Sequence, residues 1–217
     1  SMNFTAGFRA VIETPPNGRT VLRLAASSVY RFFINGNFAG HGPARGPHGW
    51  YRMDEWDITD RLAEGSNVIA IEVTGYNINS YYLIDQPAFL QAEVISGGKI
   101  LASTAGDGVQ FQASILRERV RRVQRYSFQR TFSEHYRLTP LSYAWHADIA
   151  APFERVELKV QPQEKLLPRL VPLPEFRLRQ PVRLCSAGQF ETGPLPEKFW
   201  LDRALTLVPN QIDRKSV

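Results

Sequence analysis

Short runs in which apolar and polar residues alternate follow one another along most of the chain. Val, Ile, Phe and Tyr are frequent in these runs, and Gly, Pro and Asn separate them, which is typical of β-strands joined by turns. The pattern predicts strands over residues 4–13, 20–25, 30–34, 38–40, 67–73, 88–95, 99–103 and 109–113. Because helical periodicity is scarce, we expect an all-β fold, an antiparallel jelly-roll β-sandwich.

Two turns have clear local signals. Asn35-Gly36 lies between two strand-like runs, and both residues tolerate the positive φ that a two-residue hairpin turn requires. Residues 57–65 predict a single helical turn, with Thr59 or Asp60 as its N-cap and Gly65 at its end. The aromatic segment between these two turns is predicted to be irregular.

The most regular alternation covers residues 126–138 and predicts an amphipathic strand. Its aromatic side is expected to be buried, with Arg130 and Glu134 at the rim or paired with other charges, since an unpaired buried charge is costly. Residues 155–160 repeat the alternation weakly, and residues 176–185 are one more strand candidate.

The chain becomes rich in proline from residue 167 onward. Proline removes backbone donors from a β-ladder, so this part is predicted to be an extended strap or linker. We therefore expect a jelly-roll domain over residues 3–175, followed over residues 176–217 by a proline-rich linker or the start of another β module. The first prolines of this part are Pro168, Pro172, Pro174 and Pro181.

The order of motifs from residue 31 to residue 76 resembles the N-terminal jelly-roll domain, which is galactose-binding-like, of bacterial α-L-rhamnosidase-like glycoside hydrolases. The shared order is a strand, an Asn-Gly turn, a Gly-Pro-Ala-Arg loop, an aromatic segment, Asp-x-Thr-Asp-x-Leu, Gly-x-Asn and a Val/Ile strand. The matching residues are Asn35, Gly36, Gly42, Pro43, Ala44, Arg45, Asp57, Thr59, Leu62, Gly65 and Asn67.

Two later segments extend the resemblance, which covers most of residues 20–175. Residues 106–111 are similar to the family's TDxSW strand, with Phe111 in the tryptophan position. Residues 134–136 are similar to its GExYDAR segment but lack the Gly and the Asp. The resemblance implies that the catalytic carboxylates lie in a helical barrel of the same protein, outside these 217 residues.

The resemblance leads to an expected function. We expect a non-catalytic β-sandwich domain that supports the downstream catalytic domain of the same chain and offers a surface to rhamnose-containing or other carbohydrates. An autonomous carbohydrate-binding module and a basic interaction domain unrelated to sugars stay open as alternatives. The cellular location of the protein also stays open, and a bacterial periplasmic or secreted location is favoured over the cytoplasm.

Composition and charge narrow the classes of partner. With 43% hydrophobic residues in 217, the chain can bury one substantial core or two small ones. The net charge of +5 comes largely from an arginine cluster over residues 117–130, which we expect to contact acidic partners rather than nucleic acid. No apolar run approaches the ~20 residues that cross a bilayer, so no membrane partner is expected. Cys185 is the single cysteine and cannot form an internal disulfide.

The sequence gives little support for a catalytic site or a metal-binding site. Glycoside hydrolysis needs two carboxyl groups on either side of the scissile bond, but turn, cap and surface roles explain the acidic cluster better. We therefore predict no catalytic residue. The histidines lack metal-ligand spacing, so we predict no metal site and no cofactor. The acidic cluster is Asp54, Glu55, Asp57, Asp60 and Glu64, and the histidines are His41, His48, His135 and His146.

Aromatic and polar residues near the predicted loops are the candidates for carbohydrate or domain contact. Aromatic faces stack against sugar C–H groups, and neighbouring polar side chains bind hydroxyls. The same residue types suit packing against a neighbouring domain, which we favour. We expect Trp50 or Trp56, or both, to be partly exposed. The candidates are Arg45, His48, Trp50, Tyr51, Trp56, Tyr76, Asn77 and Asn79, with Tyr81 and Tyr82 beside them.

Overall fold

The fold is taken from a computed structural model that describes residues 2–13, 18–123, 125, 127, 129–160, 162, 164–175 and 180–185. These residues form β-strands and two single 3-10 turns, at Thr59–Arg61 and Ala144–His146. The strands are β1 Phe4–Glu13, β2 Thr20–Ser27, β3 Val29–Ile34, β4 Asn37–Gly42, β5 Tyr51–Asp57, β6 Ser66–Gly75, β7 Phe89–Ser96, β8 Lys99–Ser103, β9 Val109–Gln110, β10 Gln112–Ile115 and β11 Leu166–Pro168.

The strands form two sheets. One sheet has the order β10-β1-β6-β3-β4, and the other has the order β11-β5-β2-β7-β8-β9. The predicted all-β sandwich is confirmed, although two pairs in the second sheet, β5 with β11 and β8 with β9, are parallel. Within the described residues, no helix is long and apolar enough to span a membrane.

The main hydrophobic core lies between the two sheets and follows the period of two expected for strands. Alternate residues of each long strand face inward, and the other residues face outward. The inward residues include Ala6, Phe8, Ala10 and Ile12 of β1, Leu22, Leu24 and Ala26 of β2, Tyr30, Phe32 and Ile34 of β3, and Ile69, Ile71 and Val73 of β6. In these four strands, the alternation of apolar residues in the sequence matches the side that faces the core.

The predicted Asn-Gly hairpin is confirmed between β3 and β4. Asn35 has φ 50° and Gly36 has φ 79°, the positive values that this tight turn needs. The run predicted as one strand over residues 109–113 instead divides between the two sheets. Phe111, between β9 and β10, is buried in the main core at the crossing point.

The outer face of the five-stranded sheet is covered by residues 144–153, which begin with the second 3-10 turn and which we call the cover segment. Trp145 of this segment packs with Phe33, Val68 and Ala70 in a second hydrophobic cluster. A Cβ at Gly7 would lie 2.8 Å from Cη2 of Trp145, so the indole occupies the space that a larger side chain would need. This contact fixes the cover segment on the sheet.

Two predictions about secondary structure are wrong. The aromatic segment expected to be irregular contains β5, because Tyr51–Asp57 pairs with β2. Residues 129–138 form no regular strand. They fold back on the preceding segment and pair with it through isolated β-bridges, Arg125 with Phe132 and Arg119 with Tyr136. The alternating aromatic residues therefore lie on irregular backbone rather than on a regular strand.

The remaining strand candidates are not regular strands where the structure describes them. Residues 155–160 contribute one bridge, from Val156 to Ala113. In the candidate over 176–185, residues 176–179 lie outside the described residues, and residues 180–185 have no strand assignment.

Residues 164–175, which include the beginning of the proline-rich segment, are docked against the sandwich. We call residues 164–175 the strap. Its β11 runs parallel to β5 and extends the edge of the six-stranded sheet. Arg169 reaches Asp54, whose side chain is fully buried, with 2.9 Å between Nη1 and Oδ1. Leu173 packs against the main core.

Candidate functional site

The sequence-predicted site residues separate into an exposed group and a buried group. Arg45, His48, Trp50 and Asn79 are exposed, and Asn77 is half-buried. Tyr51, Trp56 and Tyr76 are buried. The expectation that Trp50 or Trp56 is partly exposed is met by Trp50, which is 41% exposed, whereas Trp56 is 8% exposed.

Trp56 and Tyr51 are buried because β5 is a paired strand rather than a loop. Trp56 faces the main core, where its Nε1 donates to Oη of Tyr30 at 2.9 Å and its ring meets Phe32 edge to face. Tyr51 packs edge to face on Phe89, with 4.5 Å between the ring centroids. Both side chains therefore serve packing in this structure.

Tyr76 belongs to a third hydrophobic cluster at the end of β6. Its ring stacks on Phe132 at 6.3 Å, and Ile78, Val120 and Val123 complete the cluster. Asn77 follows with a φ of 49°, and its Nδ2 donates to the carbonyl of Gln86 at 2.8 Å. These contacts hold the beginning of the 77–88 loop against the sandwich.

The exposed candidates lie on two loops, residues 43–50 and 77–88, which we call the loop surface. The guanidinium of Arg45 lies 5.8 Å from the ring of Tyr82, and this cation–π contact joins the loops. Tyr82 Oη donates to Oγ1 of Thr131 at 3.2 Å. Tyr81 is 70% exposed and adds an aromatic ring to this surface.

Trp50 is placed by the strap as well as by its own loop. The Lys165 ammonium lies 5.5 Å from the indole centroid, and the backbone N–H of Tyr51 donates to the carbonyl of Lys165 at 2.9 Å. The side chain is thus held beside the strap while much of its ring stays accessible. The sequence predicts that Trp50 is partly exposed, but its position beside the strap depends on contacts between residues that are distant in sequence.

A shallow groove lies elsewhere, on the outer face of the six-stranded sheet. Its volume is about 90 Å³, and its lining includes Arg23, Met53, Gln91, Thr104 and Leu166. Pockets that enclose a small molecule usually measure about 300–1,000 Å³. The groove is too small to enclose a sugar ring, and it contains none of the sequence-predicted site residues.

Three residues of the acidic cluster, Asp54, Glu55 and Asp57, form ion pairs with arginines of the same chain. Glu55 pairs with Arg23 at 3.2 Å on the outer face, while Asp54 faces inward toward the strap. The predicted caps are wrong, because the turn Thr59–Arg61 begins after Ile58, which makes no side-chain capping bond, and ends at Leu62 rather than at Gly65. Asp57 accepts hydrogen bonds from the backbone N–H and the hydroxyl of Thr59 at 3.1 and 2.7 Å. The bonds from Thr59 and from Arg19 lower the pKa of Asp57 to about 2.

The arginine cluster also has partners within the chain. Arg119 donates to Oγ1 of Thr74 at 2.6 Å, Arg121 donates to the carbonyl of Met2 at 2.9 Å, and Arg125 donates to the carbonyl of Asn79 at 3.0 Å. These bonds attach Arg119, Arg121 and Arg125 to neighbouring parts of the chain. Arg117, Arg121 and Arg122 are exposed, and the expected contact of the arginine cluster with acidic partners stays a prediction.

Sequence reasoning missed a charged cluster on the outer face of the five-stranded sheet. Glu72 of β6 is buried and accepts from Nε of Arg31 on the adjacent strand β3. His146 Nε2 lies 2.9 Å from the other oxygen of Glu72, and its ring stacks on Phe33 at 3.9 Å. Glu72 and His146 are 74 residues apart in sequence, so no local pattern relates them.

The electrostatics of this cluster favour a charged Glu72. Burial by itself raises the pKa of a carboxyl group, but the hydrogen bond from His146 and the charge of Arg31 outweigh it and lower the pKa of Glu72. Glu118 lies nearby, and burial together with the charge of Glu72 raises its pKa. Among the described residues, no group of three or more His, Cys, Asp or Glu side chains could hold a metal ion.

Comparison with known proteins gives a structural likeness. No protein-family model matches the sequence, and no curated protein matches it. The chain is similar to the GH78 family rhamnosidase of Bacillus sp. GL1, with a TM-score of 0.66 and 23% identity over 79% of this chain and 19% of that chain. It is also similar to the α-L-rhamnosidase from Dictyoglumus thermophilum, with a TM-score of 0.50 and 15% identity over 77% of this chain and 19% of that chain.

These likenesses confirm the expected resemblance at the level of fold. This chain has the fold of a β-sandwich domain found in α-L-rhamnosidases and spans about a fifth of the length of those proteins, 19% in each case. Since fold does not imply function, activity has to be argued from the site.

Proposed function

We propose that this chain is a non-catalytic β-sandwich domain of an α-L-rhamnosidase-like glycoside hydrolase, and that it supports a catalytic domain elsewhere in the same protein. The observation that carries the proposal is the structural match over 79% of this chain to 19% of a GH78 rhamnosidase. The match is the size of one domain in a multidomain enzyme, which is the arrangement that the proposal requires.

The acidic residues support a scaffold role. A glycosidase needs two carboxyl groups that are free to act at one bond, one as a proton donor and one as a base or nucleophile. Here Asp54, Glu55 and Asp57 each form an ion pair with an arginine at 2.7–3.2 Å. Asp54 and Glu55 also face opposite sides of the sheet, so these two side chains do not converge on one site.

The loop surface is the proposed contact with the catalytic domain. It carries the exposed rings of Trp50 and Tyr81 on loops that rest on a rigid sandwich. Trp and Tyr are enriched among the residues that contribute most to protein interfaces. Carbohydrate contact at the same rings is the alternative that the composition supports, and the two roles predict different partners for Trp50.

We expect Trp50→Ala to weaken binding between this chain and the separately produced catalytic part of the protein. Loss of a tryptophan at the centre of an interface costs about 2 kcal/mol or more, which corresponds to a roughly thirtyfold change in the dissociation constant. Titration calorimetry measures this change. Val109→Ala is the matched control. Val109 is 43% exposed on β9, which is the edge strand of the six-stranded sheet that lies far from β5 and the loop of Trp50.

Equal binding by the Trp50→Ala and Val109→Ala variants would contradict the proposed interface. If Trp50→Ala leaves this binding intact but removes binding to L-rhamnose, the loop surface is a carbohydrate site and the alternative role is correct.

A further inference from the structure

The charged cluster around Glu72 is more elaborate than attachment of the cover segment requires. Burying an ion pair costs desolvation free energy, and apolar residues of similar size often serve stability as well. Glu72 and His146 are both enclosed, but the side chain of Arg31 is 36% exposed. The charged cluster therefore joins a buried carboxylate to a guanidinium that reaches solvent.

Glu72 fixes the orientation of Arg31. The carboxylate accepts from Nε, and the guanidinium lies 5.6 Å from the centroid of Phe33, so one edge and one face of the group have partners. Among the described residues, the hydrogen bonds of this guanidinium come from Nε alone. Both Nη groups are thus available as a planar pair of donors, the geometry by which Arg binds two oxygens at once.

Aromatic and acceptor groups surround this donor pair. Tyr143 is 41% exposed, and its ring lies 5.5 Å from that of His146. Tyr136 lies close enough to Arg31 for the two side chains to interact electrostatically. The Tyr136 hydroxyl donates to Oε2 of Glu134 at 3.1 Å. A donor fork, an accessible ring and an exposed carboxylate therefore occur on one face of the protein.

The balance of charge on this face favours a neutral ligand. Arg31 and Arg119 supply two positive charges, and Glu72 and Glu134 supply two negative charges. Glu118 adds a further carboxyl group to this face, and burial raises its pKa. His41 of β4 lies directly across from Arg31 in the sheet. An anion would meet these carboxylates, whereas a hydroxyl group can both accept from a guanidinium and donate to a carboxylate.

We propose that Arg31 and Tyr143 form a binding subsite for a neutral saccharide on the outer face of the five-stranded sheet. The Nη groups of Arg31 donate to adjacent hydroxyls, Tyr143 stacks against the C–H face of the ring, and Glu134 accepts from a further hydroxyl. Glu72 and His146 are positioning residues that hold Arg31. The subsite does not depend on the proposed scaffold role, because it uses side chains outside the loop surface.

Titration of the isotope-labelled chain with L-rhamnose, D-galactose and D-glucuronate, followed by nuclear magnetic resonance, tests the subsite. We expect L-rhamnose or D-galactose to shift the backbone amides of β3 and of residues 141–146. Tyr143→Ala should weaken this binding by about tenfold, the effect of losing roughly 1.4 kcal/mol. Arg31→Lys should weaken it as well, because an ammonium keeps the charge for Glu72 but loses the two-donor fork.

Val109→Ala is the matched control, since Val109 is an exposed side chain on β9 of the six-stranded sheet, outside both proposed sites, and its truncation should leave the binding unchanged. The proposal is overturned if neither neutral sugar shifts these amides, if D-glucuronate alone does so, or if Val109→Ala weakens binding as much as Tyr143→Ala. Should Arg31→Lys fail to fold, the Tyr143→Ala variant decides the question, because its side chain is exposed and its removal leaves the core intact.

Discussion

Replacing Arg169 with Ala is expected to lower the free energy of unfolding by about 3–5 kcal/mol, the usual cost of removing one partner from a buried ion pair. Asp54 has no exposed side-chain surface, and the Arg169 guanidinium is its cationic partner in the structure, with 2.9 Å between the paired atoms. Tyr30 also donates to Asp54, and burial together with the charge of this carboxylate raises the pKa of Tyr30. Without Arg169, the carboxylate would lie in the core beside a phenol alone.

Chemical denaturation of the wild-type and variant chains measures this loss. The matched control is Arg19→Ala, which breaks the pair with Asp57 in which the two side chains are 65% and 49% exposed. An exposed pair contributes about 0–1 kcal/mol, so the control should stay close to wild type. The double variant Asp54→Asn/Arg169→Leu should recover part of the lost stability. If Arg169→Ala and Arg19→Ala have equal effects, the strap is not an integral part of the sandwich.

The second large effect is expected at Trp56. Trp56→Ala should cost about 3–5 kcal/mol, the range for truncation of a buried aromatic side chain. The indole packs edge to face on Phe32 at 5.2 Å and donates to Tyr30, so its loss opens a cavity and leaves a hydroxyl with one partner fewer. The change also loosens the packing beside Asp54, to which Tyr30 is bonded.

Trp50→Ala is the internal comparison, since it removes the same side chain from an exposed position. Away from the core, a surface substitution usually changes stability by no more than about 0.5 kcal/mol. Thermal or chemical denaturation of both variants, with acrylamide quenching of the remaining fluorescence, separates the two tryptophans. A large loss of stability in Trp50→Ala, or a small one in Trp56→Ala, would contradict their assignment to surface and core.

Local patterns in the sequence predict most of the fold. The alternation in β1, β2 and β6 identifies the residues that face the core, because a strand has a period of two. The Asn35-Gly36 turn is predicted from the backbone freedom of its two residues. The same reasoning fails at β5, where a proline- and glycine-rich loop on one side and a turn on the other hide a strand of seven residues.

Contacts between distant segments explain the other differences. Residues 129–138 have an ideal alternating pattern, but their backbone returns along residues 119–125 instead of joining a sheet. Their side chains still obey the expected polarity in part, since Phe132 is buried and Glu134 pairs with Arg119. The pattern thus predicts the burial of Phe132 correctly, but it fails at Leu138, which is on the same side of the alternation and is 60% exposed.

The candidate site was predicted by residue type rather than by geometry. Exposed Trp50, Arg45 and Asn79 follow from their positions in loops, whereas Tyr51, Trp56 and Tyr76 belong to packing. These three aromatic residues are therefore buried, whereas Trp50, which has similar chemistry, is exposed. The cluster of Arg31, Glu72 and His146 could not be predicted, because its members are brought together by sheet pairing and by the cover segment.

The central claim, that this domain supports catalysis located elsewhere, is tested most directly by hydrolysis of 4-nitrophenyl α-L-rhamnoside. The assay compares the purified 217-residue chain with the longer protein proposed above. We predict turnover by the longer protein and none by this chain, because the ion-paired carboxylates described here do not provide a proton donor and a base at one site. Turnover by the purified chain that Asp57→Asn or Glu64→Gln abolishes would contradict the account.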